Sequence, residues 1–274
     1  MPDLVVIMAV YENDKLKFVK ESIQSVLGQT YSRFHYFIVF NGPLSEDVKT
    51  YINNIQDNRI RLFELQENEG LAKALNYLLD IVLQNSEYRL IARMDADDIS
   101  LESRFEIQRN FLLNNTEISC VGSWYKEIDE SGNFLSYQKL PVTNEEIKIF
   151  FRKRSPLAHP SVMFRREMIE KAGHYPTDTL RLEDYMFWSN VLKNGLILAN
   201  IPECLLLFRR DRGFYKRRSG LRFGFNYIKT RFRINRSLEA PSYIYLYSVL
   251  VGLIRMMPPI VIRYIYQFHR NNNS

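Results

Sequence analysis

Short unbroken apolar runs alternate with helical periods through the first hundred residues. Leu4–Val10 (LVVIMAV) is apolar throughout and reads as a buried strand. Leu16, Val19, Ile23, Val26 and Leu27 recur at helical spacing and predict a helix over Lys15–Leu27. Tyr36–Phe40 (YFIVF) predicts a second strand, closed by the turn signal Asn41-Gly42-Pro43. A helix over Ser45–Ile55, a strand over Ile60–Leu65, a helix over Gly70–Leu83 and a strand over Tyr88–Met94 follow. That last strand runs into Asp95-Ala96-Asp97-Asp98, and Ser100 is the expected N-cap of a helix over Leu101–Leu113. Strands alternating with helices imply parallel βαβ units in a doubly wound sheet.

Beyond residue 117 the rhythm changes. Ile118–Ile128 and Phe134–Leu140 predict strands joined at Ser131-Gly132-Asn133. Short helices over Thr143–Phe151 and Glu167–Ala172, a strand over Pro160–Arg165 and a helix over Leu182–Asn194 complete the body. The expected organisation is a nucleotide-binding half over 1–116, an acceptor half over 117–220 and a tail over 221–274. No repeat or low-complexity linker interrupts it. The opening residues lack a basic n-region and a small-residue cleavage site, so they are expected to be a strand rather than a signal peptide.

Charge sharpens the picture of the tail. Residues 1–204 hold 23 Lys and Arg against 29 Asp and Glu, a net of −6; residues 205–274 hold 14 against 2, a net of +12. A basic segment of this kind points to an anionic partner. It is also apolar and aromatic, but its longest uncharged stretch, Ala240–Ile254, is 15 residues, short of the roughly 20 needed to span a bilayer. Two readings fit: a helix lying in a membrane interface, or a helix pair packed on the domain. Two cysteines, Cys120 and Cys204, lie far apart, which argues against a disulfide framework or zinc site and for a reducing compartment.

Three segments place polar residues where such sheets bind ligands, outside the carboxyl ends of the strands: Tyr11-Glu12-Asn13, Asn41-Gly42-Pro43 and Asp95-Ala96-Asp97-Asp98. In an extended chain Asp95 and Asp97 share a face, and their repulsion calls for a hard divalent cation, magnesium or manganese. The plainer alternative is an acidic turn favoured by a helix dipole. Gly70, after Asn68, opens a helix carrying Lys73 and fits either an anion site or an ordinary helix start. Asp184 follows Glu183 and lines up with Phe187, Trp188 and Val191. That suits a partly desolvated general base, or equally a first-turn Asp satisfied by backbone N–H groups. His159, between prolines, is a ligand donor or a loop brace. Arg209, Arg210, Arg217 and Arg218 match phosphate oxygens or form a solvated loop.

Taken in order over about residues 4–220, these segments resemble the family 2 glycosyltransferases of the GT-A fold. The resemblance runs through VVIMAVYENDK, NEGLAKALN, ARMDADDIS, SPLAHPSVMF, LEDYMFW and YKRRSG. It is closest in pattern to the branch found in bacterial exopolysaccharide and O-antigen clusters, amylovoran-type enzymes included. It implies an inverting transfer of a hexose, galactose or glucose first, from a UDP-sugar to a lipid-diphosphate-linked saccharide at the inner membrane face. It also implies roles. The nucleotide-sugar would meet Ala9, Val10, Tyr11, Glu12, Asn41, Asn68, Gly70, Lys73, Asp95 and Ala96. Asp97, with Asp95, would hold manganese or magnesium, and Asp184 would be the base. His159, Glu183, Arg209, Arg217 and Arg218 would lie near the acceptor or the diphosphate.

This chain departs from the family at two places: the Pro-x-Tyr-Asn opening is Ala9-Val10-Tyr11-Glu12, and the acid after the second strand is Asn41. Competing readings are a sugar nucleotidyltransferase and a non-catalytic basic lipid- or nucleic-acid-binding protein. Met8–Lys15 lacks the glycine-rich phosphate loop of the first. The acidic strand ends do not suit a polyanion such as nucleic acid.

Overall fold

The computed structural model describes residues 2–211 and 213–262. The strands are β1 (Leu4–Val10), β2 (Phe34–Asn41), β3 (Ile60–Leu65), β4 (Leu90–Arg93), β5 (Ile99–Ser100), β6 (Ile118–Ile128), β7 (Phe134–Gln138), β8 (Met163–Arg165) and β9 (Ile197–Arg209). They form one mixed sheet in the order β3-β2-β1-β4-β8-β6-β9-β5, with β7 paired to β6. The first four strands of that order are parallel, and β6 and β9 are also parallel. β8 runs antiparallel to both β4 and β6 and joins the two regions into a continuous sheet.

Helices cover both faces. In β1, alternate side chains enter two different cores. Val5 and Ile7 pack with α3 (Leu71–Leu83) and α7 (Glu183–Lys193). Leu4, Val6, Met8 and Val10 pack with α1 (Leu16–Leu27), α2 (Glu46–Asn53) and α4 (Arg104–Asn114). This two-sided burial is why β1 reads as a continuous apolar run rather than an alternating one. α5 (Asn144–Phe151) and α6 (Arg166–Ala172) complete the α3 side.

Two expectations need correction. Ser100 is not a helix cap: it sits in β5, opposite Leu206 of β9, and α4 starts at Arg104 after Ser103. The 13-residue strand β9 is absent from the sequence reading. Its apolar pattern is broken by Pro202-Glu203, which bulge out of the ladder between the pairs Ile201–Ser123 and Cys204–Trp124.

The C-terminal segment forms a helical hairpin, α8 (Leu221–Ser237) and α9 (Ser242–Met256). It packs on α7 through Leu182, Phe223 and Tyr227. Residues 263–274, the remainder of the expected tail, lie outside the described residues. No helix among the described residues is long and apolar enough to cross a membrane.

Gly42, at φ +81°, closes the turn after β2 where the chain passes the loop after β3. A Cβ there would lie 2.6 Å from the Asn68 nitrogen and 2.8 Å from the Glu67 carbonyl carbon. Gly42→Ala should lower stability by about 2–4 kcal/mol, from left-handed backbone cost and crowding against backbone atoms. Urea denaturation should show a reduced midpoint with an unchanged m-value.

Candidate active site

β4 stops at Arg93, and the chain turns through Asp95–Asp98 before β5. The acidic residues therefore lie in a turn rather than along an extended strand. The turn gathers three carboxylates, Asp95, Asp97 and Asp98, with one oxygen of each within 4.8 Å of the others. Asp98 is thus a third member beside the expected pair.

Both ends of the turn are tied down. Ser22 of α1 donates its hydroxyl to the Asp95 carbonyl at 2.7 Å, and the Ser100 N–H donates to Ser25 Oγ at 3.0 Å. From β9, the Arg209 N–H donates to Asp98 Oδ1 at 2.7 Å and its Nε to the Asp97 carbonyl at 2.8 Å. The Arg209 guanidinium also pairs with Glu21 and lies over the Phe18 ring. It is buried, so Arg209, expected near the acceptor or diphosphate, turns its donors inward and braces the acidic turn.

Two of the three carboxylates, Asp97 and Asp98, resist ionisation. Burial, then the neighbouring Asp95 charge, pushes Asp97 up to about 6, against an opposing pull from Arg217. Asp98 is raised well above the carboxylate range by burial and then by Asp97 and Asp95. Its Oδ2 is buried without a hydrogen-bond partner. Three convergent hard oxygens, one of them orphaned, fit a divalent cation. Asp14, which the sequence reading missed, faces the same place. One of its oxygens accepts the Tyr11 N–H at 2.9 Å. Burial, with Asp97 and Asp95 adding to it, lifts Asp14 to about 8.

A second acidic pair opens α7. Burial and the adjacent Asp184 push Glu183 up to about 7. Asp184 is also raised by burial, with Arg218 and Arg93 opposing. The Ser155 hydroxyl reaches its Oδ2 at 3.5 Å. Phe187, Trp188 and Val191 on the same helix are fully buried, the apolar face expected from their spacing.

Arg93 stands between the two acidic groups. It pairs with Asp95 and its side chain is 1% exposed. Its charge is also felt at Asp98, Glu183 and Asp184. Its position inside an apolar strand gave no sign of this. Arg217 chelates Asp211 at 2.6 and 2.7 Å and lies close enough to affect Asp97 and Tyr11. The Arg218 guanidinium lies 4.0 Å from the Phe214 ring centroid, near Asp184. Arg181, at φ 56°, holds the Arg217 carbonyl at 2.9 Å.

Most other expected residues have partners of their own. His159 contacts the Tyr175 hydroxyl at 2.9 Å and packs against Trp188; burial holds it neutral. Asn41 is buried and uses both ends of its amide on the next loop, donating to Asn68 Oδ1 and accepting from the Glu69 N–H. Gly70 begins α3 at φ 83°, but Lys73 pairs with Glu69 on the surface. Val10 and Ala96 are buried, Ala9 and Tyr11 are half-buried, and Glu12 is exposed.

The sequence matches Glycosyl transferase family 2 over residues 5–173. The chain belongs to that family. It is 30% identical to the amylovoran biosynthesis glycosyltransferase AmsE of Erwinia amylovora, over 97% of this chain and 98% of the relative. It is 29% identical to the UDP-Gal:alpha-D-GlcNAc-diphosphoundecaprenol beta-1,3-galactosyltransferase of Escherichia coli, over 97% and 96%. Among solved structures, the mannosyltransferase PcManGT of Pyrobaculum calidifontis, in complex with GDP-Man and Mn2+, shares the fold. Its TM-score is 0.65 at 15% identity, over 100% of this chain and 81% of that one. The GT-A fold and the amylovoran-type branch expected from sequence are both borne out.

The raised acid Asp14 makes stability depend on pH. Below the ordinary carboxylate range both folded and unfolded chains hold its proton; from there to about pH 8 only the folded chain does. Its stabilising contribution is complete at low pH and is lost as pH rises through about 8. In EDTA, the metal-free protein should lose stability from pH 3.8, the ordinary aspartate value, up to about pH 8, and Asp14→Asn should flatten that slope. Equal slopes in the two proteins would refute a neutral Asp14.

Proposed function

We propose that this family 2 enzyme transfers a hexose, galactose or glucose first, from a UDP-sugar to a lipid-diphosphate-linked saccharide. The anomeric configuration is inverted, and the product serves O-antigen or exopolysaccharide assembly. The observation that carries this reading is the pairing of two acidic groups with different surroundings around Arg93. One is a three-carboxylate turn suited to a metal; the other is a helix-borne pair suited to proton transfer. The lipid-linked galactosyltransferase relative, aligned along almost the whole chain, supports the donor and acceptor classes.

In this reading residues 1–116 hold the nucleotide-sugar, with Ala9, Val10, Tyr11 and Glu12 along the base and ribose. Residues 117–220 face the acceptor. Asp95, Asp97 and Asp98 would hold manganese or magnesium, which when bound offsets charge on the leaving diphosphate. Arg217, whose charge is felt at Asp97 and which is held by Asp211, adds positive charge near the same oxygens. Asp184 accepts the acceptor hydroxyl proton as that oxygen bonds to the anomeric carbon and the bond to the diphosphate breaks. A single displacement inverts the centre. Glu183, protonated near neutrality, can donate a hydrogen bond to an acceptor hydroxyl. Arg93 supplies a buried positive charge that both acidic groups feel. The enzyme works at the cytoplasmic membrane surface, where a lipid-linked acceptor is found, with residues 221–274 as the contact.

Asp184→Asn should leave UDP-sugar binding intact and lower turnover by about 10²–10⁴-fold, the usual contribution of a general base. A matching loss of donor affinity would place Asp184 in the nucleotide site instead. EDTA should abolish transfer to a synthetic GlcNAc- or GalNAc-diphospho-lipid, and manganese should restore it. Asp97→Asn should remain inactive at any manganese concentration. Full turnover in EDTA is the result that overturns the metal assignment.

A further inference from the structure

Among the described residues, the hairpin α8–α9 meets the body on one side only. Its inner side is closely packed. A Cβ on Gly224 would lie 2.7 Å from the Gly252 carbonyl oxygen, and Asn235 of α8 donates to Ser248 of α9 at 3.0 Å. Arg255, the one charge in α9, points inward over the Phe223 and Tyr227 rings.

The outer side differs. Tyr243, Leu246, Leu250, Leu253, Met257 and Ile260 are each between 42% and 63% exposed. Their spacing of three and four residues makes them a single stripe along α9 and just past its end. On α8, Phe225 is 65% exposed, and the exposed basic residues Arg222, Lys229 and Arg236 recur every seven residues beside it. Neither helix contains an Asp or Glu.

We propose that this outer face docks on an anionic phospholipid surface, with the α9 stripe entering the acyl boundary and the α8 basic row meeting the headgroups. It deepens the reading of a membrane-side enzyme by naming the face that makes the contact. The charge pattern selects the occupant. A second copy of this chain also suits a three-four stripe, but such seams are flanked by opposite charges, and these helices offer only positive ones. An anionic lipid supplies the missing negative charge. At 15 residues α9 is too short to cross, so the helix lies in the interface. The hairpin rests on Leu182 at the start of α7. Docking therefore holds Glu183 and Asp184 at a fixed position relative to the surface.

The test is flotation of the full chain with vesicles of phosphatidylglycerol and phosphatidylcholine, and with phosphatidylcholine alone. The full chain should float with the anionic vesicles at low salt and at least tenfold less with the neutral ones. Leu246→Asp, Leu250→Asp and Leu253→Asp together should reduce partition at least tenfold. Arg222→Gln, Lys229→Gln and Arg236→Gln together should remove most of the salt dependence. All six positions are exposed, so each variant should keep its transfer rate on a short-chain acceptor analogue, which reports a folded enzyme. Wild-type protein that stays at the bottom of the gradient overturns the proposal. So does a leucine variant that floats as well as wild type, or a dimer in sedimentation that Leu250→Asp dissociates. A protein that floats as described yet transfers no sugar leaves the docking face standing and refutes the proposed function instead.

Discussion

Negative charge packed into the turn after β4 is the constraint around which much of this molecule is arranged. Two unit charges within 4.8 Å of each other repel by at least about 3 kcal/mol at an effective dielectric near 20. Three such pairs approach the entire stability of an ordinary domain, about 5–15 kcal/mol. The turn therefore depends on partial protonation and on cations. The protein brings guanidinium groups from distant segments: Arg93 from β4, Arg209 from the end of β9, and Arg217 from the loop before α8. Arg104 of α4 lies beneath them and donates to the Arg93 carbonyl at 2.8 Å and the Val162 carbonyl at 3.2 Å. The strand order follows the same need. β9 has to run alongside β6 for its full length to deliver Arg209 to Asp97 and Asp98, and β5 has to pair with it to close the turn.

This arrangement also explains how one site can hold two kinds of carboxylate. The turn residues face one another and share a cluster of charge that a divalent ion would complete. Glu183 feels chiefly Asp184, and Asp184 feels Arg218 and Arg93. A site for a leaving diphosphate needs concentrated charge that accepts a cation, whereas a base needs a carboxylate able to take up a proton and release it again. Arg93 lets these requirements coexist a few side chains apart.

The apolar periodicity made most of the sheet and its helices legible, because burial on both faces of β1 and β2 leaves a plain signature. It failed where one residue altered the local rule. Pro202 broke the pattern of β9, and a two-residue bulge kept the strand intact in three dimensions. At the site, Asp95, Asp97 and Asp184 stood out by spacing. Asp98 lay in the same acidic segment with no spacing to mark it, and nothing local singled out Asp14. Arg93 looked like a strand residue, since nothing local distinguishes an arginine bound for solvent from one bound for a buried ion pair. Asn41 illustrates the opposite case. Its position after β2 suggested contact with a base, but both ends of its amide are used to join two loops, a role visible only once those loops are adjacent.

The basic tail is where composition and structure differ most in emphasis. Its charge set it apart from the body, yet part of it belongs to the body's core. Ile234 of α8 lies in the same cluster as Val5, Ile7 and Trp188. Arg231 is buried and donates to the carbonyls of Phe151 and Arg152, groups that the end of α5 leaves unsatisfied. Leu182, the residue before the two acids of α7, is covered by Phe223 and Tyr227. Removing the segment from Leu221 onward would expose Leu182, strip α5 of its cap and open one side of the helix that carries Asp184. A loss of transfer in such a truncation would therefore say little about lipid contact. The inner side of the hairpin belongs to the catalytic fold, and its outer side alone is available to a surface, so only substitutions confined to that outer side separate the two roles.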